Sequence, residues 1–151
     1  DVGELQLAGP TLCSGYWRNQ TATAQLFDGK WLKTGDLVRV DADGCFYIVD
    51  RKKDMYISGG ENVYPAEVEA VLLQHPLVLE AAVVGVSDAR WGEVGRAYLR
   101  LRDDAALDEP ALHTFLASRL ARYKWPKSLI LINEPLPRTP TGKVQKNRLR
   151  S

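Results

Sequence analysis

Lys143 directly follows Gly142 in the stretch PRTPTGKVQK, residues 137–146, where it could bring a positive charge to a phosphate or a carboxylate. A Gly-Lys pair also occurs in the phosphate-binding P-loop, but that loop requires a glycine five residues before Gly142 and Ser or Thr after the lysine. Pro137 and Val144 occupy those positions, which excludes a P-loop. The Pro, Thr and Gly neighbours predict a flexible loop without regular structure. A lysine in such a loop is usually only solvated.

Three other groups could bind a ligand. Asp36 in KTGDL could accept two hydrogen bonds from a vicinal diol such as a ribose, although an Asp that caps its own turn is more common. Arg51 could hold a sugar or a phosphate, or it could be an ordinary surface arginine. Gly59 and Gly60 in SGGEN offer backbone amides that a narrow ligand could approach closely, or they form a hairpin turn. Taken singly, none of these establishes a site.

The amino-acid composition limits the classes of protein to which this chain can belong. The 151 residues are 45% hydrophobic, as in a globular chain, and the formal charge of +1 indicates no strong attraction to nucleic acid or to an anionic membrane. Cys13 and Cys45 are too few for a disulfide framework, and neither has zinc-site spacing. His75 and His113 lie far apart in the sequence. We therefore expect no metal site.

Targeting signals are not evident in the sequence. No apolar run approaches the roughly 20 residues of a membrane span, and no signal peptide is evident, so we expect a cytoplasmic protein. The sequence starts at Asp1, within an expected strand and without an initiator Met. We expect it to be a piece of a longer protein.

Alternation and turn residues in residues 3–49 predict short antiparallel strands, with a turn at DADG, residues 41–44. The charged stretch DRKKD, residues 50–54, suits a linker or hinge, or equally a solvated hairpin turn.

Residues 54–151 predict a small α+β domain with one two-layer core. The first expected helix begins at Pro65 and ends before Pro76, and the second spans 108–123 with Asp108 as its cap. The expected strands lie before the Gly59–Gly60 turn and at 79–86, 95–102 and 127–132, the third being half-buried with a basic outer face.

The order of the motifs is more specific than any one of them. TGDL, DRKKDMYISGGENVYPAEVE, WGE, YKWPK and LPRTPTGKVQK occur in this order between residues 34 and 146. They resemble the C-terminal third of the AMP-forming acyl-CoA synthetases, a superfamily of adenylate-forming enzymes that includes luciferases, aryl-CoA ligases and the adenylation domains of peptide synthetases. The resemblance covers essentially the whole chain. GGEN and YKWPK are closer to the fatty-acyl and aryl-CoA ligases than to the amino-acid-activating domains.

The resemblance implies a division of the chain. Residues 1–50 would be the terminal antiparallel β segment of a large adenylate-forming domain, 51–54 a hinge, and 55–151 a small, mobile C-terminal domain that acts as a lid. The lid would have a two-layer α/β sandwich fold. Lys53 matches the hinge position, about which the lid rotates between two states.

The resemblance also implies roles for single residues. Asp36 is similar to the aspartate that holds the ribose hydroxyls of ATP and AMP, and Arg51 would assist it. In the first state Lys143 would reach the α-phosphate and the substrate carboxylate while acyl-adenylate forms. In the second state the Gly59–Gly60 turn, with Gly60 nearest, would line the tunnel through which the pantetheine thiol attacks. Basic residues could contact the CoA phosphates or simply be solvated, namely Arg96, Arg100 and Lys124.

The implied function is ATP-dependent activation of a carboxylic acid, with a fatty acid favoured, and transfer of the acyl group to CoA. Mg²⁺ would be held mainly by the N-terminal domain, which precedes the equivalent of Asp1, so this chain alone is expected to be inactive. Two alternatives remain open: an adenylation domain that delivers to a carrier protein, and a non-catalytic binding module.

Overall fold

The computed structural model describes residues 1–102 and 106–150 and divides the chain into two compact units. The first unit is Asp1–Lys53 and the second is Asp54–Ser151. Ser151, at which the predicted lid ends, lies outside the described residues. Each unit has its own sheet, and both sheets are mainly antiparallel, in agreement with the predicted α+β class.

The first unit is a four-stranded antiparallel sheet. Its central strand, β3, pairs with the other three. The turn predicted at 41–44 is present, because the Asp41 carboxylate accepts hydrogen bonds from the amides of Asp43 and Cys45 at 3.0 and 2.9 Å. The strands are β1 (Val2–Leu7), β2 (Phe27–Asp28), β3 (Trp31–Val40) and β4 (Phe46–Arg51).

A short helix, α1 (Gln20–Leu26), interrupts the region for which the sequence predicted only strands and turns. Asn19 caps it, because its side-chain oxygen accepts a hydrogen bond from the Ala22 amide at 3.0 Å. The helix has no buried residue, so it lacks the apolar periodicity by which helices are recognised. The Asn cap was the one local signal for it.

The second unit contains a five-stranded sheet and two α-helices. In this sheet β8 pairs with β7 and β5 in antiparallel fashion and with β9 in parallel fashion, so β7 has one unpaired edge. The strands are β5 (Tyr56–Ser58), β6 (Glu61–Val63), β7 (Val78–Asp88), β8 (Gly92–Leu101) and β9 (Ser128–Leu131), and the helices are α2 (Pro65–Leu72) and α3 (Glu109–Ala117).

Both helices pack on one face of this sheet. Val68 and Leu72 of α2 and Leu112 and Leu116 of α3 join strand residues such as Leu99 in one buried cluster. Burial of each such side chain contributes about 1.5–3 kcal/mol, which holds helices too short to be stable alone. Pro65 begins α2 as predicted, and Asp108 caps α3 by accepting from the Ala111 amide at 3.2 Å.

The other face of the sheet is also covered, whereas the sequence predicted a basic outer face for β8. Ala82, Val84, Leu136 and Leu149 form a second buried cluster there. Tyr98 packs against it, and its hydroxyl donates to the Leu149 carbonyl at 2.7 Å. Strand β8 is half-buried as predicted, with Arg96 and Arg100 on this face, but alternation along β8 could not reveal that the C-terminal segment returns over part of it.

A side chain of α2 also reaches the free edge of β7. The Glu69 carboxylate accepts a hydrogen bond from the Val83 amide at 2.7 Å and forms an ion pair with Lys146 at 2.7 Å. Glu69 thus connects α2, the sheet and the C-terminal segment.

The second helix is shorter than predicted. It ends at Ala117, and residues Arg122–Lys124 form a separate 3₁₀ turn. Ser118 and Arg119 donate side-chain hydrogen bonds to the Phe115 carbonyl at 3.2 and 2.9 Å, which satisfies a carbonyl at the helix end. Within the described residues, no helix has the length and apolar character needed to cross a membrane.

Candidate functional site

In the first unit, Asp36 of β3 lies directly opposite Arg51 of β4. Arg51 Nε is 2.8 Å from Asp36 Oδ1, and Arg51 Nη1 donates to the Thr34 carbonyl at 3.2 Å. The Thr34 hydroxyl accepts from the Asp36 amide at 3.1 Å, which fixes the backbone beside the carboxylate. Both charged side chains remain partly exposed, at 49% for Arg51 and 23% for Asp36. The ion pair therefore leaves part of the Asp36 carboxylate exposed to solvent.

Lys53 lies exposed in the turn that follows β4 and is the last residue of the first unit. The sequence predicted a hinge over residues 51–54. In the structure Arg51 still belongs to β4, and the boundary between the two compact units falls between Lys53 and Asp54.

In the second unit, Gly59 and Gly60 form the turn between β5 and β6 with φ angles of +60° and +89°, which favour glycine. The Gly59 amide donates to the Trp91 carbonyl at 2.9 Å. A Cβ added at Gly59 would come within 2.8 Å of the Trp91 ring, while one added at Gly60 would meet no described atom within 4 Å. The Trp91 ring therefore fills the space beside Gly59, and Gly60 faces open space.

A groove of about 480 Å³ adjoins this turn. Lys127 Nζ and Arg90 Cζ lie 5.0 and 4.8 Å from the centroid of the Trp91 ring. Flat aromatic rings beside cations can bind a heterocycle that carries phosphate groups. The lining residues include Gly59, Trp91, His113, Arg122, Tyr123 and Lys127.

The turn before Trp91 is fixed by Asp88. Asp88 Oδ1 accepts hydrogen bonds from the amides of Trp91 and Arg90, both at 2.9 Å. These two backbone hydrogen bonds hold the pKa of the Asp88 carboxyl below its ordinary value. The indole is thus carried on a turn that remains hydrogen-bonded at neutral pH.

Two of the basic residues considered as CoA contacts are paired within the protein. Lys124 Nζ lies 2.7 Å from Glu67, and Arg100 Nη1 lies 3.4 Å from Glu80. Burial lowers the pKa of the Lys124 ammonium, but the hydrogen bond and charge of Glu67 outweigh burial and raise it overall. These two cations tie elements of the fold together, and Lys127 and Arg122 are the basic residues that line the groove.

Lys143 lies on a narrow hairpin, which corrects the prediction of a flexible loop without regular structure. Arg138 and Val144 form an antiparallel bridge, and the Thr139 amide donates to the Lys143 carbonyl at 2.8 Å. The Lys143 amide donates to the Thr139 hydroxyl at 3.1 Å, which holds the tip. The Pro, Thr and Gly composition of the stretch did not predict these bonds, although each joins residues only four to six positions apart.

The ammonium group of Lys143 faces solvent. Its residue is exposed, and no residue within 1–102 or 106–150 forms an ion pair with it. The hairpin thus combines an ordered backbone with an exposed ammonium group, which could contact an anionic ligand. Over the same ranges, no cluster of three His, Cys, Asp or Glu side chains could hold a metal ion.

Residues 67–143 match the family described as the AMP-binding enzyme C-terminal domain. The chain belongs to this family. The match includes most of helix α2, all of β7 to β9 and Lys143 at its end.

Relatives of this AMP-binding C-terminal domain cover nearly the whole chain. It is 48% identical over 150 residues to 2-succinylbenzoate–CoA ligase of Geobacillus kaustophilus and 45% identical over 148 residues to the long-chain-fatty-acid–CoA ligase FadD13 of Mycobacterium tuberculosis. These alignments cover 99% and 98% of the chain but 30% and 29% of the relatives. The chain therefore spans about a third of the length of the curated relatives it matches.

A solved structure agrees with the fold. The o-succinylbenzoate CoA synthetase of Bacillus subtilis, in complex with the acyl-adenylate intermediate OSB-AMP, aligns with a TM-score of 0.91 and 42% identity. The alignment covers 100% of this chain and 31% of that one. The likeness therefore extends to both units.

The groove of this AMP-binding C-terminal domain was not foreseen. No role was assigned from the sequence to Trp91 or Lys127, although WGE and YKWPK contain them. The available signal was the adjacency of aromatic and basic residues in both motifs, at Arg90-Trp91 and Trp125-Pro126-Lys127. The two motifs meet only in the folded chain, where Lys127 of the second motif lies against the Trp91 ring of the first.

Proposed function

We propose that this chain is the C-terminal part of an AMP-forming CoA ligase. The carboxylate of an acid attacks the α-phosphorus of ATP, the bond to the β-phosphate breaks, and acyl-adenylate and pyrophosphate form. The thiol of CoA then attacks the acyl carbon and AMP leaves. The observation that carries the proposal is that one unit presents two separate features, the Lys143 hairpin and the Gly60 turn beside an aromatic groove.

Lys143 serves the first half-reaction. Attack by a carboxylate on a phosphate brings like charges together, and a compact cation offsets the charge that grows toward the transition state. The hairpin reduces the conformational freedom of the Lys143 backbone, while the ammonium group remains available. Preorganisation of this kind lowers the reorganisation needed during the reaction.

Asp36 and Arg51 hold the nucleotide. The Asp36 carboxylate, which remains partly exposed beside Arg51, would accept hydrogen bonds from the ribose hydroxyls. Arg51, which is half exposed, adds positive charge beside the sugar. Mg²⁺, which neutralises the ATP phosphates, is assigned to other parts of the ligase.

Gly59, Gly60 and the groove serve the thioester half-reaction. The missing Cβ at Gly60 lets the narrow pantetheine arm pass close to the backbone. The groove lined by Trp91 and Lys127 would take the nucleotide of CoA, with the indole contacting the adenine and Lys127, whose Nζ lies over the ring, contacting the phosphates. The thiol and the nucleotide of CoA would thus be held by one unit.

Residues 51–54, with Lys53, are proposed as the hinge about which residues 55–151 rotate between the two half-reactions, with residues 1–50 as the end of the adenylate-forming domain. Because the lid would move between half-reactions, Lys143 need not obstruct the thiol. Such a ligase would work in the cytoplasm, where ATP and CoA are present.

The acid is a fatty or an aromatic carboxylic acid. We retain a fatty acid as the first substrate to test because FadD13 carries that name, and 2-succinylbenzoate directs the second test to aromatic acids. A carrier protein is the alternative acceptor. It is disfavoured by the groove, whose aromatic and basic lining suits a free nucleotide better than a protein surface.

The experiment is AMP release by the full-length ligase across fatty and aromatic acids, with and without CoA. AMP release that requires an acid and CoA and yields a thioester supports the proposal. Pyrophosphate exchange without transfer to CoA would favour the carrier-protein alternative. No turnover with any acid would favour a binding module.

Trp91→Ala tests the CoA groove. We expect the KM for CoA to rise about tenfold, because stacking of a base on an aromatic ring is worth roughly 1–3 kcal/mol. The KM for pantetheine, which lacks the nucleotide, should change little in the same variant. Equal increases for both thiols would contradict the assignment, since they would indicate a displaced Gly59 turn rather than a lost nucleotide contact.

A further inference from the structure

Arg138 connects the Lys143 hairpin to strand β7. Its Nη2 donates to Glu80 Oε1 at 2.7 Å, and its Nη1 donates to the Gly142 carbonyl at 2.9 Å. Gly142 is the residue directly before Lys143. One planar guanidinium therefore holds a carboxylate of the sheet with one nitrogen and the backbone beside Lys143 with another.

Glu80 also fixes the chain where it enters the hairpin. Its Oε2 lies 3.4 Å from both the Leu136 amide and Arg100 Nη1. The Glu80 side chain is 15% exposed, so little water competes for these contacts. Leu136 itself is buried in the cluster on this face of the sheet.

The carboxylate keeps its charge at neutral pH. Burial raises the pKa of the Glu80 carboxyl, but hydrogen bonds from Arg138, the Leu136 amide and Arg100 outweigh burial and hold the pKa below its ordinary value. The ion pair to Arg138 is therefore intact in the pH range in which ATP-dependent ligases are assayed.

The hairpin and its attachment are held by different bonds. Main-chain bonds such as that from the Thr139 amide to the Lys143 carbonyl define the shape of the hairpin without Glu80 or Arg138. Nothing in those bonds sets the direction in which the hairpin leaves the sheet. The packing of Leu136 and Val144 on the sheet fixes the two ends of the hairpin, and the Arg138 guanidinium, bound to β7 on one side and to Gly142 on the other, adds a directional restraint near Lys143.

We propose that Glu80 and Arg138 are positioning residues for Lys143, which orient its hairpin on the sheet for the adenylation half-reaction. This inference rests on the proposed function. Neither residue needs to touch a substrate. A displacement of about 1 Å at a reacting group can cost roughly 100-fold in rate, so loss of this restraint should be visible in the rate of adenylation.

The experiment compares Glu80→Gln, Arg138→Lys and the charge-swapped pair Glu80→Arg with Arg138→Glu in the full-length ligase. Acyl-adenylate formation is measured by pyrophosphate exchange, and thioester formation is measured separately from supplied acyl-adenylate. Glu67→Gln is the matched control, because it removes the charge of a carboxylate with an ion pair of 2.7 Å to Lys124 and no contact with the hairpin.

We expect Arg138→Lys to slow adenylation about tenfold or more and to leave the thioester half-reaction within about twofold, because a point charge cannot reproduce the planar fork. Glu80→Gln should show the same selectivity with a smaller loss. The charge-swapped pair restores an ion pair but removes the donor to Gly142 and puts a second cation beside Arg100, so it should not recover adenylation. Hydrogen exchange at the amides of Gly142 and Lys143 should change little, because both amides are bonded to Thr139 within the hairpin.

The proposal would be overturned if both half-reactions slowed in proportion to the loss of thermal stability across the variants. The ion pair would then be merely structural. Adenylation rates in Arg138→Lys equal to those of Glu67→Gln would also overturn it. If Lys143→Ala abolishes adenylation in the same assay, either of these two outcomes refutes only the positioning role of Glu80 and Arg138 and leaves the proposed function standing. If the wild-type ligase forms no adenylate, or Lys143→Ala leaves adenylation unchanged, the proposed function and this inference both fail.

Discussion

Replacing Lys143 with alanine should slow acyl-adenylate formation about 100-fold or more, by analogy with the loss of one preorganised donor to a developing charge. The ammonium group is exposed, and in the proposed mechanism it offsets the repulsion between carboxylate and phosphate in the transition state. Thioester formation from supplied acyl-adenylate should change far less, because Lys143 has no part in that step. Pyrophosphate exchange and single-turnover thioester formation measure the two effects in the full-length ligase.

Lys30→Ala is the control for this prediction. Lys30 is an exposed lysine in the turn between β2 and β3, and its ammonium group lies 5.5 Å from the centroid of the Trp31 ring. Its loss removes one surface charge and should leave both half-reactions within about twofold, as is usual for surface substitutions. Equal losses in the two half-reactions of Lys143→Ala would refute its assignment to adenylation.

Gly60→Val should have the opposite selectivity. A valine at this position would extend into the open space that we assign to the pantetheine arm, and we expect thioester formation to fall about 100-fold through misplacement of the thiol. Adenylation should be nearly unchanged, since the Lys143 hairpin is a separate element. The measurement is single-turnover transfer from supplied acyl-adenylate at saturating CoA.

Backbone strain needs its own control, because valine is disfavoured at the positive φ of Gly60. Gly44 has a φ of +82°, close to the +89° of Gly60, and a Cβ added there also meets no described atom within 4 Å. Gly44→Val therefore imposes a similar strain on a turn without an assigned role. A loss of thioester formation as large in Gly44→Val as in Gly60→Val would attribute the effect to strain.

Much of the second unit was predictable because strong local signals agree with its packing. Pro65 begins α2 and Asp108 caps α3, as their residue types indicated. The alternation of Ala97 and Leu99 placed those residues on the helical face of the sheet, where both are fully buried. Helix α1 was missed because it buries no residue.

The sequence predicted which residues are candidates for the site but not how they are arranged in space. Motif order identified Asp36, Lys143 and the Gly59–Gly60 turn as candidates, and the structure gives each a defined setting. The groove and the Glu80–Arg138 pair were not foreseen, because each joins residues far apart in sequence. Glu80 and Arg138 are separated by 58 positions, and local composition carries no information about such a contact.

The hydrogen bond from the Val83 amide to Glu69 lies at the free edge of β7, where a strand of another chain could add. Strand β7 is 11 residues long, and an unpaired edge of that length is a template on which a second chain could add a strand. The Glu69 carboxylate occupies one of the amides that such an added strand would need, and the ion pair with Lys146 adds a second side chain at the middle of the edge. Helix α2 thus protects the sheet from strand addition while it closes the hydrophobic core.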